Sequence, residues 1–208
     1  MFDAVIFDLD GTLIDTESVA LAAGMAAFGS LGTTVTSDFM HSLVGVDLPS
    51  SAKIIRSHHP DLDLDLLNSR WRAGFEAQIA KDMPLKPGVM DLLAQLSLPV
   101  AICTSTGRDG AHYKLGLAGL ANAFAHVITV DDVTHAKPHP EPYLLSAARL
   151  GVNPARCVVF EDSEVGSEAA HRAGCTVVQV PDFIPSTGRF AHHIAPTLLD
   201  GARLVGII

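Results

Sequence analysis

Two acidic residues stand two positions apart, directly after the first apolar segment of the chain. That segment, residues 4–7, reads Ala-Val-Ile-Phe, and its β-branched and aromatic residues predict a buried strand. Side chains two positions apart on an extended chain point the same way, so we expect the carboxylates of Asp8 and Asp10 to lie together. Gly11 and Thr12 then predict a sharp turn with exposed backbone N–H groups. Paired acids beside such a turn therefore indicate a site for chemistry more than an ordinary structural turn.

Three further polar clusters follow predicted strands later in the chain. They are residues 104–106, residues 131–132 leading to Lys137, and residues 161–163. Ligands of open parallel sheets bind outside the carboxyl ends of the strands. We therefore expect these clusters to meet the two aspartates at one edge of a sheet.

Four carboxylates gathered at one edge would repel one another strongly. Two like charges about 4 Å apart cost roughly 4 kcal/mol at an effective dielectric of about 20, so Asp8, Asp10, Glu161 and Asp162 require a cation. Oxygen donors without imidazole or thiolate suit a hard ion. We expect Mg²⁺, because this ion is held by few carboxylates together with water and phosphate.

Lys137 and the hydroxyl of Thr104 supply donors that complement these acids. Together with a metal and the turn N–H groups, they would form a cradle for a phosphoryl group. One aspartate could then act as a nucleophile and form an aspartyl-phosphate. The other could serve as a general acid and afterwards as a general base.

Strand-like and helix-like segments alternate from about residue 84 onward. The predicted strands of the sheet are residues 3–8, 99–103, 124–130, 157–160 and 176–180. The predicted helices are residues 89–98, 109–117, 140–150 and 164–173. Such alternation predicts right-handed crossovers between parallel strands. We therefore expect an α/β fold whose core is a doubly wound, Rossmann-like, mostly parallel sheet covered on both faces.

The segment between Asp15 and Met83 has a different pattern, with helices only and loops at residues 29–36 and 57–61. A helical insertion thus interrupts the α/β pattern after its first strand. The expected domains are an α/β core of residues 1–15 and 83–208 and a small α-helical domain of residues 16–82.

The composition restricts the partners of the protein. The 208 residues carry a net charge of −9 and are 48% hydrophobic, so a soluble globular protein is expected. No cluster of Lys and Arg could follow a phosphate backbone, which argues against nucleic acid as a partner. No apolar segment reaches membrane-spanning length, and residues 1–3 lead into the first strand without a leader, which argues against a membrane partner.

The cysteines and paired histidines suggest no additional chemistry. Cys103, Cys157 and Cys175 lie beside or within predicted strands and lack metal-ligand spacing. Buried free thiols are expected, and with them a reducing compartment, the cytoplasm. The adjacent pairs at residues 58–59 and 192–193 are interpreted as surface histidines, because adjacent residues seldom chelate one ion.

The four motifs together resemble those of the haloacid dehalogenase superfamily, and the resemblance covers essentially the whole chain. The residues that carry it are 8–13, Thr104, Lys137 with Pro138, and 161–163. Residues 14–17, 84–88 and 137–142 are similar to the subgroup in which a small helical cap is inserted after the first motif. The helical domain of residues 16–82 would then be this cap.

The resemblance implies a role for each matching acid. It makes Asp8 the nucleophile and a side-chain ligand of Mg²⁺, and Asp10 the acid/base whose backbone carbonyl also binds the metal. Asp162 would bind Mg²⁺ directly, and Glu161 would lie close by, acting through water. Lys137 would steady the charge of Asp8.

The resemblance also implies the groups that hold the transferring phosphoryl group. Thr104 and Lys137 would bind it through their side chains, and Ser105 and the turn at Gly11 would add backbone N–H groups. Arg108 is a further candidate for binding phosphate from the core.

The chain departs from the family pattern in three places. Ala136 precedes Lys137 where the family often has Gly, and Ala20 stands near the position where sugar phosphomutases place a His. The cap loop at residues 44–48 contains no Arg or Lys. Arg70 and Arg72 are the candidate cations of the cap.

The function expected from these residues is a Mg²⁺-dependent phosphatase. Its substrate would be a small phosphorylated metabolite, a sugar phosphate or a phosphoglycolate-like compound. Asp10 argues against a dehalogenase, because a departing halide needs no proton. The alternatives are a phosphomutase of the beta-phosphoglucomutase type and a non-catalytic phospho-aspartate or binding module.

Several properties stay open at this level. Trp71 could anchor the cap or contact substrate, and Asp182 could be a further acid near the site or a turn former. The sequence does not identify the substrate or the cap residues that select it. A monomer or weak dimer is expected.

Overall fold

The computed structural model describes residues 1–44 and 46–208 and divides into two compact units. The first unit contains Met1–Asp15 and Pro84–Ile208, and the second contains Thr16–Met83. Gly45, in the predicted cap loop, lies outside the described residues.

The first unit is built on one parallel sheet, which in the described part of the chain has six strands in the order β3-β2-β1-β4-β5-β6. The strands are β1 (Ala4–Phe7), β2 (Val100–Cys103), β3 (His126–Ile128), β4 (Cys157–Glu161), β5 (Thr176–Gln179) and β6 (His193–Ile194). All neighbouring strands run parallel. This strand order is that of the doubly wound Rossmann fold, so the predicted fold class is confirmed.

Helices of the first unit connect these strands and cover the sheet. They are α5 (Val89–Gln95), α6 (Arg108–Leu117), α7 (Glu141–Leu150), α8 (Glu164–Arg172) and α9 (Leu198–Leu204). All four residues of β1 are buried, as expected for a central strand covered on both faces. Phe7 of β1 stacks on Phe160 of β4 with ring centroids 5.2 Å apart. These contacts fix the two strands whose ends carry most of the predicted acids.

The second unit is helical. It contains α1 (Thr16–Ser30), α2 (Ser37–His41), α3 (Leu48–His58) and α4 (Leu64–Lys81). Trp71 on α4 packs inside this unit, where its Nε1 donates to the carbonyl of Ala20 at 2.7 Å. A Cβ placed on Gly24 would lie 2.5 Å from the Trp71 ring, so α1 needs a glycine at this crossing. Trp71 is thus an internal anchor of the helical unit.

The structure differs from the sequence prediction mainly where elements are short. The strand predicted at residues 124–130 is limited to β3, because the chain turns into a 3₁₀ helix at Val130–Asp132. The turn is capped by Asp132, whose Oδ2 accepts from the N–H and hydroxyl of Thr129. β6 and α9 were not predicted; β6 has only two residues and no periodicity to detect.

In the described ranges, no helix is long and apolar enough to cross a membrane.

Candidate active site

The predicted polar clusters meet at the carboxyl edge of the sheet, on either side of the point where the strand order reverses. There they form a pocket of about 350 Å³. Its walls are Asp8, Asp10, Thr104, Ser105, Thr106, Lys137, Asp162, Ser163, Val165 and Gly166. Six of the residues predicted for the site therefore share one cavity.

Lys137 is the centre of a buried charged cluster. Its Nζ donates to Asp8 Oδ1 at 2.7 Å, to Glu161 Oε1 at 2.7 Å and to the carbonyl of Cys103 at 2.8 Å. The side chains of Lys137, Asp8 and Glu161 are 4%, 10% and 1% exposed. Each of the three ammonium protons therefore has an acceptor at the end of a strand: Asp8 after β1, Cys103 in β2 and Glu161 in β4.

Burial and neighbouring charge oppose each other in this cluster. The pKa of Asp8 is raised to about 7, with burial as the largest cause; Lys137 opposes the shift and the charge of Glu161 adds to it. Burial alone would lower the pKa of Lys137, but the carboxylates of Asp8 and Glu161 together raise it above its ordinary value. Lys137 is therefore a permanent cation beside Asp8.

Glu161 is held on both carboxylate oxygens. Tyr143 donates its hydroxyl to Oε1 at 2.6 Å, and the hydroxyl of Ser163 donates to Oε2 at 2.9 Å. A Cβ placed on Gly166 would lie 1.8 Å from Oε1, so α8 can approach Glu161 only with a glycine at this position. These contacts orient the Glu161 carboxylate towards Lys137.

Asp10 belongs to a second, more open pair. Its Oδ1 accepts from Lys114 Nζ at 2.6 Å, and its Oδ2 accepts from the hydroxyl of Thr106 at 2.6 Å. The Lys114 and Asp10 side chains are 17% and 30% exposed. Lys114 was missed in the sequence; the available signal was its place beside the buried stripe of Ala111 and Leu115 on α6.

Of the remaining predicted phosphate ligands, Thr104 and Ser105 line the same pocket, and Gly11 lies next to Asp162 in its wall. Thr104 is buried, and its Oγ1 accepts the N–H of Thr106 at 3.0 Å, which leaves its own proton available for a ligand. Gly11 has a φ of 80°, and a Cβ there would lie 2.3 Å from Asp162 Oδ2. The turn predicted at Gly11 therefore requires glycine for both backbone and space. Ser105 is exposed in the pocket wall.

Arg108 is not brought into this pocket. Its guanidinium pairs with the carboxylate of Asp132, and its backbone N–H donates to Asp131 Oδ2 at 2.7 Å. Arg108 lies at the start of α6 and lines another surface cavity with Arg149. This arrangement conflicts with the prediction that Arg108 binds phosphate, because its side chain is paired with Asp132, which follows β3.

Asp182 also lies outside the pocket. Its Oδ1 accepts from Lys86 Nζ at 2.7 Å, and the two side chains are largely buried. Both residues line a separate cavity next to Thr12. Asp182 therefore serves as a partner for a buried lysine in the first unit.

The acids of the pocket fit a hard divalent ion. Asp8, Glu161 and Asp162 each offer a carboxylate oxygen, and these oxygens lie within 4.8 Å of one another. The donors are oxygens only, which suits Mg²⁺. Both oxygens of Glu161 already accept hydrogen bonds, which limits the access of this carboxylate to an ion.

Known proteins share this architecture. The curated Escherichia coli (strain K12) protein called fructose-1-phosphate phosphatase YqaB is 32% identical over 182 residues, covering 86% of this chain and 96% of its own. The putative phosphatase YhcW of Bacillus subtilis (strain 168) is 32% identical over 203 residues, covering 93% and 90%. The crystal structure of a putative beta-phosphoglucomutase from Thermotoga maritima matches with a TM-score of 0.82 and 28% identity, covering 98% of both chains.

The family model described as haloacid dehalogenase-like hydrolase matches residues 5–180. That range contains all three aspartates of the pocket and extends through β5. The family suggested by the four motifs is therefore confirmed. The chain belongs to the haloacid dehalogenase-like hydrolases and is an enzyme of that family.

Proposed function

We propose that the protein is a Mg²⁺-dependent phosphatase that hydrolyses a small phosphorylated metabolite through an aspartyl-phosphate on Asp8. The observation that carries this proposal is the buried pair of Asp8 and Lys137 beside the second pair of Asp10 and Lys114. Each lysine holds one of two aspartates that open into the same pocket. A nucleophile and a proton donor are thus held separately.

Asp8 and Asp162 would hold the metal through their carboxylates, and Asp10 through its backbone carbonyl. Bound there, Mg²⁺ would supply positive charge for the phosphoryl oxygens. Glu161 would contribute mainly by orienting Lys137, since its oxygens accept from Lys137, Tyr143 and Ser163. This role differs from coordination through water.

The first chemical step forms a bond from an Asp8 oxygen to phosphorus. The bond between phosphorus and the leaving oxygen breaks, and that oxygen takes a proton from Asp10. Lys137 and the hydroxyl of Thr104 stabilise the charge on the phosphoryl oxygens, together with the backbone N–H groups of Gly11 and Ser105.

The second step releases phosphate. A water molecule attacks phosphorus and gives a proton to Asp10, and the bond to Asp8 breaks. Asp8 regains its carboxylate, and Asp10 regains the proton that it lost in the first step. The cycle therefore balances without any other proton donor.

Relatives support a sugar phosphate as the substrate. YqaB is named for fructose-1-phosphate, and this chain covers 96% of its length. A phosphomutase remains the second candidate, because the Thermotoga maritima structure bears that name. The cap loop at residues 44–48 carries no Lys or Arg to hold a second phosphate, which favours the phosphatase.

Two further proposals accompany this function. We expect the enzyme to be cytoplasmic, in keeping with its three cysteines, which are all free and buried. We also expect a monomer or weak dimer. Size-exclusion chromatography with light scattering would test the oligomeric state.

The proposal is tested by measuring phosphate release with Mg²⁺ across a panel of phosphorylated sugars and short phosphorylated acids. Asp8→Asn keeps the shape of the side chain and serves as the blank. We expect release by the native protein only, with turnover lost by roughly 10⁴-fold or more in the variant. Native-like turnover by Asp8→Asn would exclude Asp8 as the nucleophile.

A further inference from the structure

A second group of possible metal ligands lies on the segment that carries Lys137. His135 and His139 flank that lysine, and Glu141 begins α7. His135 Nδ1 and Glu141 Oε2 are 2.9 Å apart, and His139 Nδ1 and the same oxygen are 3.9 Å apart. The two imidazole rings lie 4.6 Å apart, and both are exposed. One donor atom from each of the three residues lies within 4.8 Å of the others.

These separations are close to those of a tetrahedral ion. Bonds of about 2.0–2.2 Å at the tetrahedral angle place neighbouring ligand atoms about 3.4 Å apart. The observed 2.9 Å and 3.9 Å lie on either side of this value. An ion would displace the hydrogen bond that His139 Nδ1 accepts from the backbone N–H of Glu141 at 3.2 Å, and both imidazoles are exposed enough to rotate towards it.

The donor types differ from those of the pocket. The pocket offers oxygen atoms only, whereas this cluster offers two imidazole nitrogens and one carboxylate. Two nitrogens and one oxygen suit borderline ions such as Zn²⁺, and three protein ligands leave a fourth position for water. The cluster therefore selects a different metal from the one proposed for the pocket.

We propose that His135, His139 and Glu141 form a second metal site, for Zn²⁺ or an ion of the same class. The ion would replace the proton shared between His135 and Glu141. It would also join both sides of Lys137 to the first turn of α7. Glu141 already holds this segment, since its carboxylate accepts the backbone N–H groups of Thr134 at 2.8 Å and of His135 at 3.0 Å.

The role inferred for this ion is to fix the segment of residues 134–141. Lys137 is rigidly held at its ammonium end, but its neighbours on both sides are exposed. An ion bound by His135 and His139 would tie these neighbours together. None of its ligands lines the pocket, so metal binding at this site can be measured separately from the proposed phosphatase reaction.

Co²⁺ is the probe for the experiment, because four-coordinate Co²⁺ absorbs visible light and Zn²⁺ does not. The intact protein is titrated with Co²⁺ while a large excess of Mg²⁺ occupies the acidic pocket. The variants His135→Ala and His139→Ala each remove one nitrogen. His171→Ala is the matched control, because His171 and His192 form another stacked pair with ring centroids 5.2 Å apart.

We expect one Co²⁺ with four-coordinate absorption in the native protein and in His171→Ala, displaced by a stoichiometric amount of Zn²⁺. Each of the other two variants should weaken Co²⁺ binding by about tenfold or more. Thermal unfolding without Co²⁺ shows that each variant is folded. Unchanged binding in both histidine variants, equal loss in His171→Ala, or no Co²⁺ absorption in the folded native protein would overturn the proposal.

Discussion

Two lysines hold two aspartates that are only two residues apart, but in different surroundings. Lys137 and Asp8 are buried and share a third partner, Glu161, whereas Lys114 and Asp10 lie partly in solvent. Both pairs are short, at 2.7 Å and 2.6 Å between the charged atoms. The difference therefore lies in burial and in the number of partners, and much less in distance.

This difference matches the tasks proposed for the two acids. A nucleophile must stay in one position, and the fully partnered cluster around Lys137 permits little movement. An acid/base must exchange protons with the leaving group and with water, which requires access to solvent. Each pair can be broken without removing either aspartate, so the comparison can be tested directly.

The largest effect is expected for Lys137→Met, which leaves Asp8 and Glu161 buried without their cation. Breaking a buried ion pair by removing one partner costs about 3–5 kcal/mol. We expect the free energy of unfolding to fall by this amount and phosphate release to be lost. Denaturant unfolding and a phosphate-release assay measure the two quantities.

Lys86→Met is the matched control for that variant. Lys86 forms a 2.7 Å pair with Asp182 that is also largely buried but lies outside the pocket. It should lower stability and leave kcat unchanged. Equal loss of kcat in both variants would mean that Lys137 acts through stability alone.

Gly166→Ala should give the next largest effect. The new methyl group would overlap Glu161 Oε1, so this carboxylate must move and release Lys137. We expect a loss of about 1–3 kcal/mol in unfolding free energy together with loss of kcat. In contrast, Gly116→Ala on α6 meets no atom within 4 Å and should be neutral or stabilising by about 0.5–1 kcal/mol. Native kcat in Gly166→Ala would contradict the role given to Glu161.

Lys114→Met should affect catalysis more than stability, because its pair with Asp10 is partly exposed. We expect kcat to fall by about 10- to 100-fold for an alkyl phosphate. The loss should be much smaller for p-nitrophenyl phosphate, whose leaving group departs without a proton. Measuring kcat for both substrates isolates proton transfer. Asp10 also takes the proton of water in the second step, which both substrates share, so an equal loss would assign Lys114 to that step. Unchanged kcat for both substrates would show that Lys114 does not act through Asp10.

The smallest effect is expected for an exposed pair. Arg172 and Glu168 are one helical turn apart on α8, with side chains 51% and 31% exposed. Arg172→Ala should change the unfolding free energy by less than about 0.5 kcal/mol, with kcat unchanged. A loss of kcat or of unfolding free energy similar to that of Lys114→Met would mean that burial does not determine how much each pair contributes.

Most of the fold could be predicted from the sequence, because each strand of the sheet's centre is a short apolar run. The prediction was weakest at β6, where two residues carry no pattern, and at β3, which the turn at residues 130–132 shortens. The candidate site was predictable in part for the same reason. Asp8 and Thr104 directly follow strands, so their place at the sheet edge follows from local sequence.

Partners contributed by helices could not be predicted in this way. Lys114 lies in the last turn of α6, and Tyr143 lies on α7. Whether such side chains reach an acid on another strand depends on how each crossover packs against the sheet. Arg108 illustrates the same limit, since two acids after β3 hold it away from the pocket.

The sequence by itself determined the parallel α/β core, the family and the residues at the strand ends, because strand pattern and turn chemistry are local. Only the tertiary structure decided which lysine holds which aspartate, that Glu161 faces Lys137, and that His135, His139 and Glu141 meet. These pairings join atoms from separate elements or opposite sides of a loop. Their geometry is set by packing and burial, which no local pattern encodes.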